Sequence, residues 1–194
     1  MRKIGITGGV GAGKSIILDY LRTHCHCMVL QADELAWKLE EPDGPCYQPL
    51  IDLLGEGILG DDQKIDHGKM SAAIFGRADR LLAVNDIVHP LVKREAGKIA
   101  AQAEADGFDF FFFEAALLIE STCDEIVDEV WYVYAPRKER MKRLMRDRGY
   151  TREKVCAIMA GQLSEKAFRT RADRVITNDG DTGKVYRQLD KWLT

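Results

Sequence analysis

No apolar run in this 194-residue chain approaches the ~20 residues that a membrane-spanning helix needs, so a helical membrane span is not expected. Positive charge is not in surplus either. Lys and Arg number 28 against 31 Asp and Glu, a formal net charge of −3, which argues against nucleic acid as the main partner. Cysteine is sparse and odd in number at five, which fits reduced thiols better than a disulfide framework. No leader of charged, apolar and small residues is evident ahead of the first apolar run, and the expectation is a soluble, cytoplasmic protein. Internal repeats and low-complexity tracts are also missing. What remains is a chain with 46% hydrophobic residues, enough for one sizeable core carrying a helical insertion.

The most specific local feature is Gly8-Gly9-Val10-Gly11-Ala12-Gly13-Lys14-Ser15, which satisfies G-x-x-x-x-G-K-[ST] directly after the apolar run Ile4-Gly5-Ile6. Strand, glycine loop and helix are expected in that order. The loop glycines let backbone N–H groups surround a phosphate chain, Lys14 reaches the outer phosphates, and the Ser15 hydroxyl can ligate Mg²⁺. Gly9, Val10, Gly11, Ala12, Gly13, Lys14 and Ser15 are therefore assigned to binding a nucleoside triphosphate. A guanine-reading N-K-x-D element is absent. So is the extra lysine of partitioning ATPases, because Gly9 and Val10 occupy that part of the loop.

Apolar runs at Lys3–Thr7, Met28–Gln31, Phe108–Phe113, Val130–Tyr134 and Val175–Thr177 alternate with helical stretches. That alternation predicts an α/β fold, a parallel five-stranded sheet flanked by helices as in P-loop nucleoside and nucleotide kinases. The phenylalanine-rich third run reads as a central strand buried on both faces. Core segments are expected at about 1–34, 107–136 and 170–194. A helical insertion at about 35–106 is broken by Pro42, Pro45, Pro49, Pro90 and several glycines; its length suits either binding or an enlarged scaffold. A helical lid is placed at about 137–169. Within it, Arg137 to Arg148 predicts a helix with Met141, Leu144 and Met145 as its packed stripe and Arg140 and Arg143 on another face, either as a phosphate clamp or as solvated charge.

Asp33 ends the second apolar run. Its carboxylate can orient the proton of an attacking hydroxyl, a contribution of about 10² to 10⁴ in rate, or it can cap a helix over Glu34–Leu39. The cluster His24-Cys25-His26-Cys27 has metal-capable side chains but no second ligand pair, and a turn between the first helix and second strand competes with a metal site.

Further motifs extend the pattern: Thr7-Gly8-Gly9 leading the loop, Gln31-Ala32-Asp33, Ile87-Val88-His89-Pro90, Glu114-Ala115-Ala116-Leu117-Leu118-Ile119-Glu120, Gly161-Gln162, and Ala172-Asp173-Arg174-Val175-Ile176-Thr177-Asn178. In this order and spacing the chain resembles the bacterial dephospho-coenzyme A kinases over almost its whole length. The resemblance implies ATP and Mg²⁺ as cofactors and phosphorylation of the ribose 3′-hydroxyl of dephospho-coenzyme A, the last step of coenzyme A synthesis. It further implies Asp33 as base or orienter of that hydroxyl, and His89, Glu114 and Leu117 on the substrate side. Arg143 and a neighbour become lid arginines, with Arg140 standing where glutamine is more usual. His89 retains a structural alternative, as an extended residue before Pro90. Departures from the family pattern are Glu114 for Asp, Ala116 for Pro, His67 for an arginine after Ile65-Asp66, and Ile16 for Thr. A monomer or weak homo-oligomer is expected. Another small-molecule kinase and an ATP-sensing module without phosphoryl transfer are the competing readings.

Overall fold

The computed structural model describes residues 1–193. The chain divides into two compact units, Met1–Val29 with Gln102–Thr194, and Leu30–Ala101.

The first unit is built on the sheet. Strands β1 (Arg2–Thr7), β2 (Cys27–Gln31, which runs on into the second unit), β3 (Phe110–Glu114), β4 (Glu129–Tyr134) and β5 (Arg174–Thr177) lie in the order β2-β3-β1-β4-β5. β1 pairs in parallel with β3 and β4, and β4 in parallel with β5. The five expected strands are present to within two residues at each end. β3 is interior, but the middle place belongs to β1. The run of phenylalanines needs no polar alternation because both faces are covered: Phe110 and Phe112 stack along one face, with Phe112 against Trp131, while Phe111 and Phe113 stack along the other.

Helices α1 (Lys14–His24) and α9 (Thr182–Leu193) join Ile4, Ile6, Phe112, Trp131 and Ile176 in one core through Ile17, Leu18, Leu21, Val185 and Leu189. Between β4 and β5 lie α6 (Arg137–Arg148), α7 (Arg152–Ala160) and α8 (Glu165–Arg171), the last placing Phe168 flat against Tyr132 at 4.8 Å. α6 has the bounds read from sequence, but its apolar stripe is narrower than expected. Leu144 is buried whereas Met145 is 44% exposed, because the helix also turns Arg140 and Arg143 inward.

The His24–Cys27 cluster spans the end of α1 and the start of β2. His24 stacks on Tyr20 and His26 on Phe108, so the two imidazoles are engaged by different neighbours. Among the described residues no group of three or more His, Cys, Asp or Glu side chains is arranged to hold a metal ion. No helix among them is long and apolar enough to cross a membrane.

The second unit is helical: α2 (Ala32–Leu39), α3 (Tyr47–Leu54), α4 (His67–Ile74) and most of α5 (Ala78–Ala105). Pro49 sits in the first turn of α3, where its missing N–H costs nothing. Pro90, expected to interrupt a helix, instead lies inside α5. Val84, Val92, Ala96, Ala100 and Ala103 are buried along α5 at spacings of one or two turns. Their burial on both sides of the proline outweighs one lost backbone bond and a ring clash of about 3 kcal/mol.

Candidate active site

The glycine loop joins β1 to α1 as expected, and its backbone explains its composition. Gly8, Gly11 and Gly13 have φ of +152°, +78° and +89°, a region where a side chain is strained. Gly13 is the N-cap of α1, with no side-chain cap and no acidic residue in the first turn, so the helix presents uncapped N–H groups and the positive end of its dipole.

The carbonyls of Gly8 to Ala12 are each engaged. Lys14 Nζ donates to the Gly8 carbonyl at 2.9 Å, and the Ala12 N–H donates to that of Gly9 at 3.0 Å. Arg140 Nε donates to the Val10 carbonyl at 2.9 Å, and Arg143 Nη1 to those of Gly11 and Ala12 at 3.4 and 3.1 Å. Asn178 Nδ2 adds a 2.8 Å bond to the Ala12 carbonyl. A trans peptide sets its C=O and the following N–H on opposite sides. Cations holding the carbonyls of Gly8, Val10 and Ala12 therefore turn the N–H groups of Gly9, Gly11 and Gly13 the other way, which prepares the loop for an anion.

Arg140 and Arg143 thus reach the loop from α6, as their shared face predicted, but their protein partners are carbonyls. Arg143 Nη2 is also bound, to the Asn178 backbone oxygen and Oδ1 at 3.2 and 3.1 Å. Arg140 lies close against Gly9, where a Cβ would stand 2.3 Å from Nη2. Burial pulls the Arg140 guanidinium below its ordinary pKa. Lys14 also pairs with Glu114 Oε1 at 3.4 Å, both side chains being largely buried. Glu114 is the last residue of β3, and the longer arm that replaces aspartate makes this contact. Leu117, three residues on, is 40% exposed. Ser15 is exposed in the first turn of α1, where its hydroxyl is accessible to a metal ion accompanying a phosphate.

The second unit holds Asp33 and His89. α2 begins at Ala32 with Gln31 as its N-cap residue and no side-chain capping bond. Asp33 is exposed in the first turn and does not cap the helix, which removes the capping alternative for this carboxylate. His89 is not an extended residue before a proline; it lies within α5, half-buried, and burial lowers its pKa while Asp86 opposes the shift. His67 opens α4, whose N-cap Asp66 accepts from the Lys69 N–H at 2.9 Å. Its ring lies 5.3 Å from that of Trp37, and its Nδ1 lies 3.4 Å from Glu40 Oε2. Burial pushes the Glu40 carboxyl up to about 7.

Two loop partners carried no individual role in the sequence reading, Asn178 and Gln162. Asn178, only 3% exposed, bridges Ala12 and Arg143, and Gln162 accepts from the Val10 N–H at 3.1 Å. Both stand in motifs that carry the family resemblance, which is the one signal that could have marked them.

The family model for dephospho-CoA kinase matches residues 2–184. A dephospho-CoA kinase from Carboxydothermus hydrogenoformans is 35% identical over 193 residues, covering 97% of this chain and 93% of that protein. A crystal structure of a Thermus thermophilus protein superposes with a TM-score of 0.82 at 31% identity, covering 99% of this chain and 96% of that one. The dephospho-CoA kinase structure from Campylobacter jejuni, at 18% identity, shares the fold with a TM-score of 0.72 over 99% of this chain and 98% of that one. With a kinase phosphate loop on a parallel five-stranded sheet and matches running almost end to end, the chain belongs to the dephospho-CoA kinase family.

Proposed function

We propose that this protein transfers the γ-phosphoryl group of ATP to the ribose 3′-hydroxyl of dephospho-CoA, giving CoA and ADP. The single observation that carries the reading is the loop itself, whose carbonyls are held by Lys14, Arg140, Arg143 and Asn178 while the N–H groups of Gly9, Gly11 and Gly13 and the uncapped start of α1 are left for a triphosphate. Membership of the family supports the choice of acceptor.

Residues 9–15 would bind the β- and γ-phosphates. Lys14, now paired with Glu114, would carry its charge onto the oxygens between donor and acceptor. Ser15 would hold Mg²⁺, which when bound neutralises charge on the phosphate oxygens. Arg143 fixes the loop and adds positive potential beside it, and Arg140, with Nη1 unbonded to any described residue, can also donate to a phosphate oxygen. Asp33 would accept or orient the hydroxyl proton. His89, Glu114 and Leu117 are assigned to the acceptor side, His89 as a neutral imidazole, since burial already lowers its pKa. We further assign the protein to the cytoplasm as a monomer or weak homo-oligomer.

The test is an acceptor panel with purified protein, Mg²⁺ and ATP: dephospho-CoA, adenosine, nucleoside monophosphates and shikimate. Turnover is expected with dephospho-CoA. Turnover confined to another acceptor would overturn the assignment, and ATP binding without product from any acceptor would favour a sensing module.

A further inference from the structure

Gln162 lies in the connector between α7 and α8, one residue after Gly161, which ends α7. Its side-chain oxygen accepts two hydrogen bonds, from the Val10 N–H at 3.1 Å and from Arg140 Nη2 at 2.8 Å. Arg140 Nε in turn donates to the Val10 carbonyl at 2.9 Å. The three bonds close a ring in which both backbone polar groups of Val10 are held by one amide oxygen and one guanidinium.

The ring has few ways to relax. The oxygen has two lone pairs and both are used. The guanidinium lies against Gly9 so closely that a Cβ there would stand 2.3 to 2.6 Å from three of its atoms. It is also partly desolvated, and a buried cation depends more heavily on each acceptor it keeps. Removing the Gln162 oxygen would leave Arg140 tethered to the loop by the Val10 carbonyl alone, and would leave the Val10 N–H without its acceptor.

We propose that Gln162 is a positioning residue for ATP: through Val10 and Arg140 it fixes the third residue of the phosphate loop, so that the α7–α8 connector sets the affinity for the triphosphate. Gln162 need not touch the nucleotide. It acts by holding the loop and the guanidinium in the geometry to which ATP binds, and the free protein maintains that geometry before the ligand arrives. The inference rests on the reading of ATP as phosphoryl donor.

The experiment measures Mg²⁺-ATP binding calorimetrically, without acceptor, for the full chain, Gln162→Met, Arg140→Ala and the double variant. Methionine keeps the length of the side chain and removes the acceptor. We expect Gln162→Met to weaken ATP binding on the order of 10-fold. In turnover assays KM for ATP should rise by a similar factor with kcat within about twofold, and the midpoint of thermal unfolding without nucleotide should stay within about 2 °C. The double variant should bind ATP no more weakly than the worse single one, since both changes open the same ring. Gln162→Asn, which withdraws the oxygen by one methylene, should reproduce the loss and replaces the methionine variant if that one is insoluble. An ATP affinity within twofold of the unaltered chain, or losses that multiply in the double variant, would overturn the proposal. Because no acceptor is present, a wrong acceptor assignment leaves this result intact, whereas failure of the unaltered chain to bind ATP overturns both readings.

Discussion

Asn178→Ala should be the most informative single change at the loop. The side chain is buried, donates to the Ala12 carbonyl at 2.8 Å and accepts from Arg143 Nη2 at 3.1 Å. Its backbone bonds, from its N–H to Tyr134 O at 2.8 Å and from Arg143 Nη2 to its own carbonyl at 3.2 Å, survive truncation. The loss is then one neutral bond of about 1 kcal/mol and one charge-assisted bond of about 1.5–3 kcal/mol, with the Ala12 carbonyl spared a full desolvation penalty because Arg143 Nη1 still donates to it. The sum is roughly 2–4 kcal/mol. At about 2–4 °C per kcal/mol for a chain of this size, the unfolding midpoint should fall by about 4–16 °C, and ATP affinity should fall with it as Gly13 loses the amide packed against it. Asn178→Asp separates the two bonds: the carboxylate keeps Arg143 but sets an oxygen against the Ala12 carbonyl, so its midpoint should lie between those of the alanine variant and the unaltered chain. Differential scanning calorimetry with and without Mg²⁺-ATP reads both quantities. An alanine variant that melts within 1 °C of the unaltered chain and binds ATP equally well would refute the bracing argument.

Two further outcomes follow from the second unit. Asp33→Asn should leave ATP binding unchanged while kcat falls by about 10² to 10⁴, because the exposed carboxylate caps no helix; near-normal turnover would remove it from the chemistry. Glu40 should make stability pH-dependent. With its folded pKa at about 7, above the ordinary 4.5, the native chain holds a proton that the unfolded chain releases, so its contribution to stability falls as pH rises from about 4.5 to 7. Solvent beside the half-exposed His67 screens part of the effect, leaving about 1 kcal/mol, and Glu40→Gln should raise the unfolding midpoint by roughly 2–4 °C at pH 8 with little change at pH 4.5. A larger gain at pH 4.5 than at pH 8 would reverse the sign and sink this account.

The parts legible in the sequence are those whose cause is local. Each strand is a short apolar run between turn residues, α6 is delimited by Pro136 before it and Gly149 after it, and the loop's glycines, three of them at positive φ, fall in a contiguous pattern directly after a strand. Pro90 misled because the local rule is sound but loses to burial along the 28 residues of α5. Met145 misled because periodicity counts apolar residues as inward, while α6 spends its inward face on two arginines. The roles of Asn178 and Gln162 were illegible for a different reason. They meet the loop across 166 and 152 residues of sequence, and no window along the chain joins a side-chain amide to a backbone group that far away.

Arg143 shows why a basic residue near a phosphate loop need not be a phosphate ligand to matter. Both of its terminal nitrogens are engaged with Gly11, Ala12 and Asn178, so contact with ATP would require it to give up protein bonds. Its charge still acts at a distance, since a guanidinium in a partly desolvated setting interacts with a nearby anion by several kcal/mol at an effective dielectric near 20. Its fork does something a lysine could not. It holds consecutive carbonyls and an asparagine together, and so fixes the peptide planes of a flexible glycine loop, with the Gly13 N–H turned to the side away from the arginine. Preorganisation of this kind lowers the ordering cost that ATP would otherwise meet on binding. The glycines that let the loop wrap a phosphate also leave it floppy, and the arginines and the asparagine at its back are what make that freedom usable.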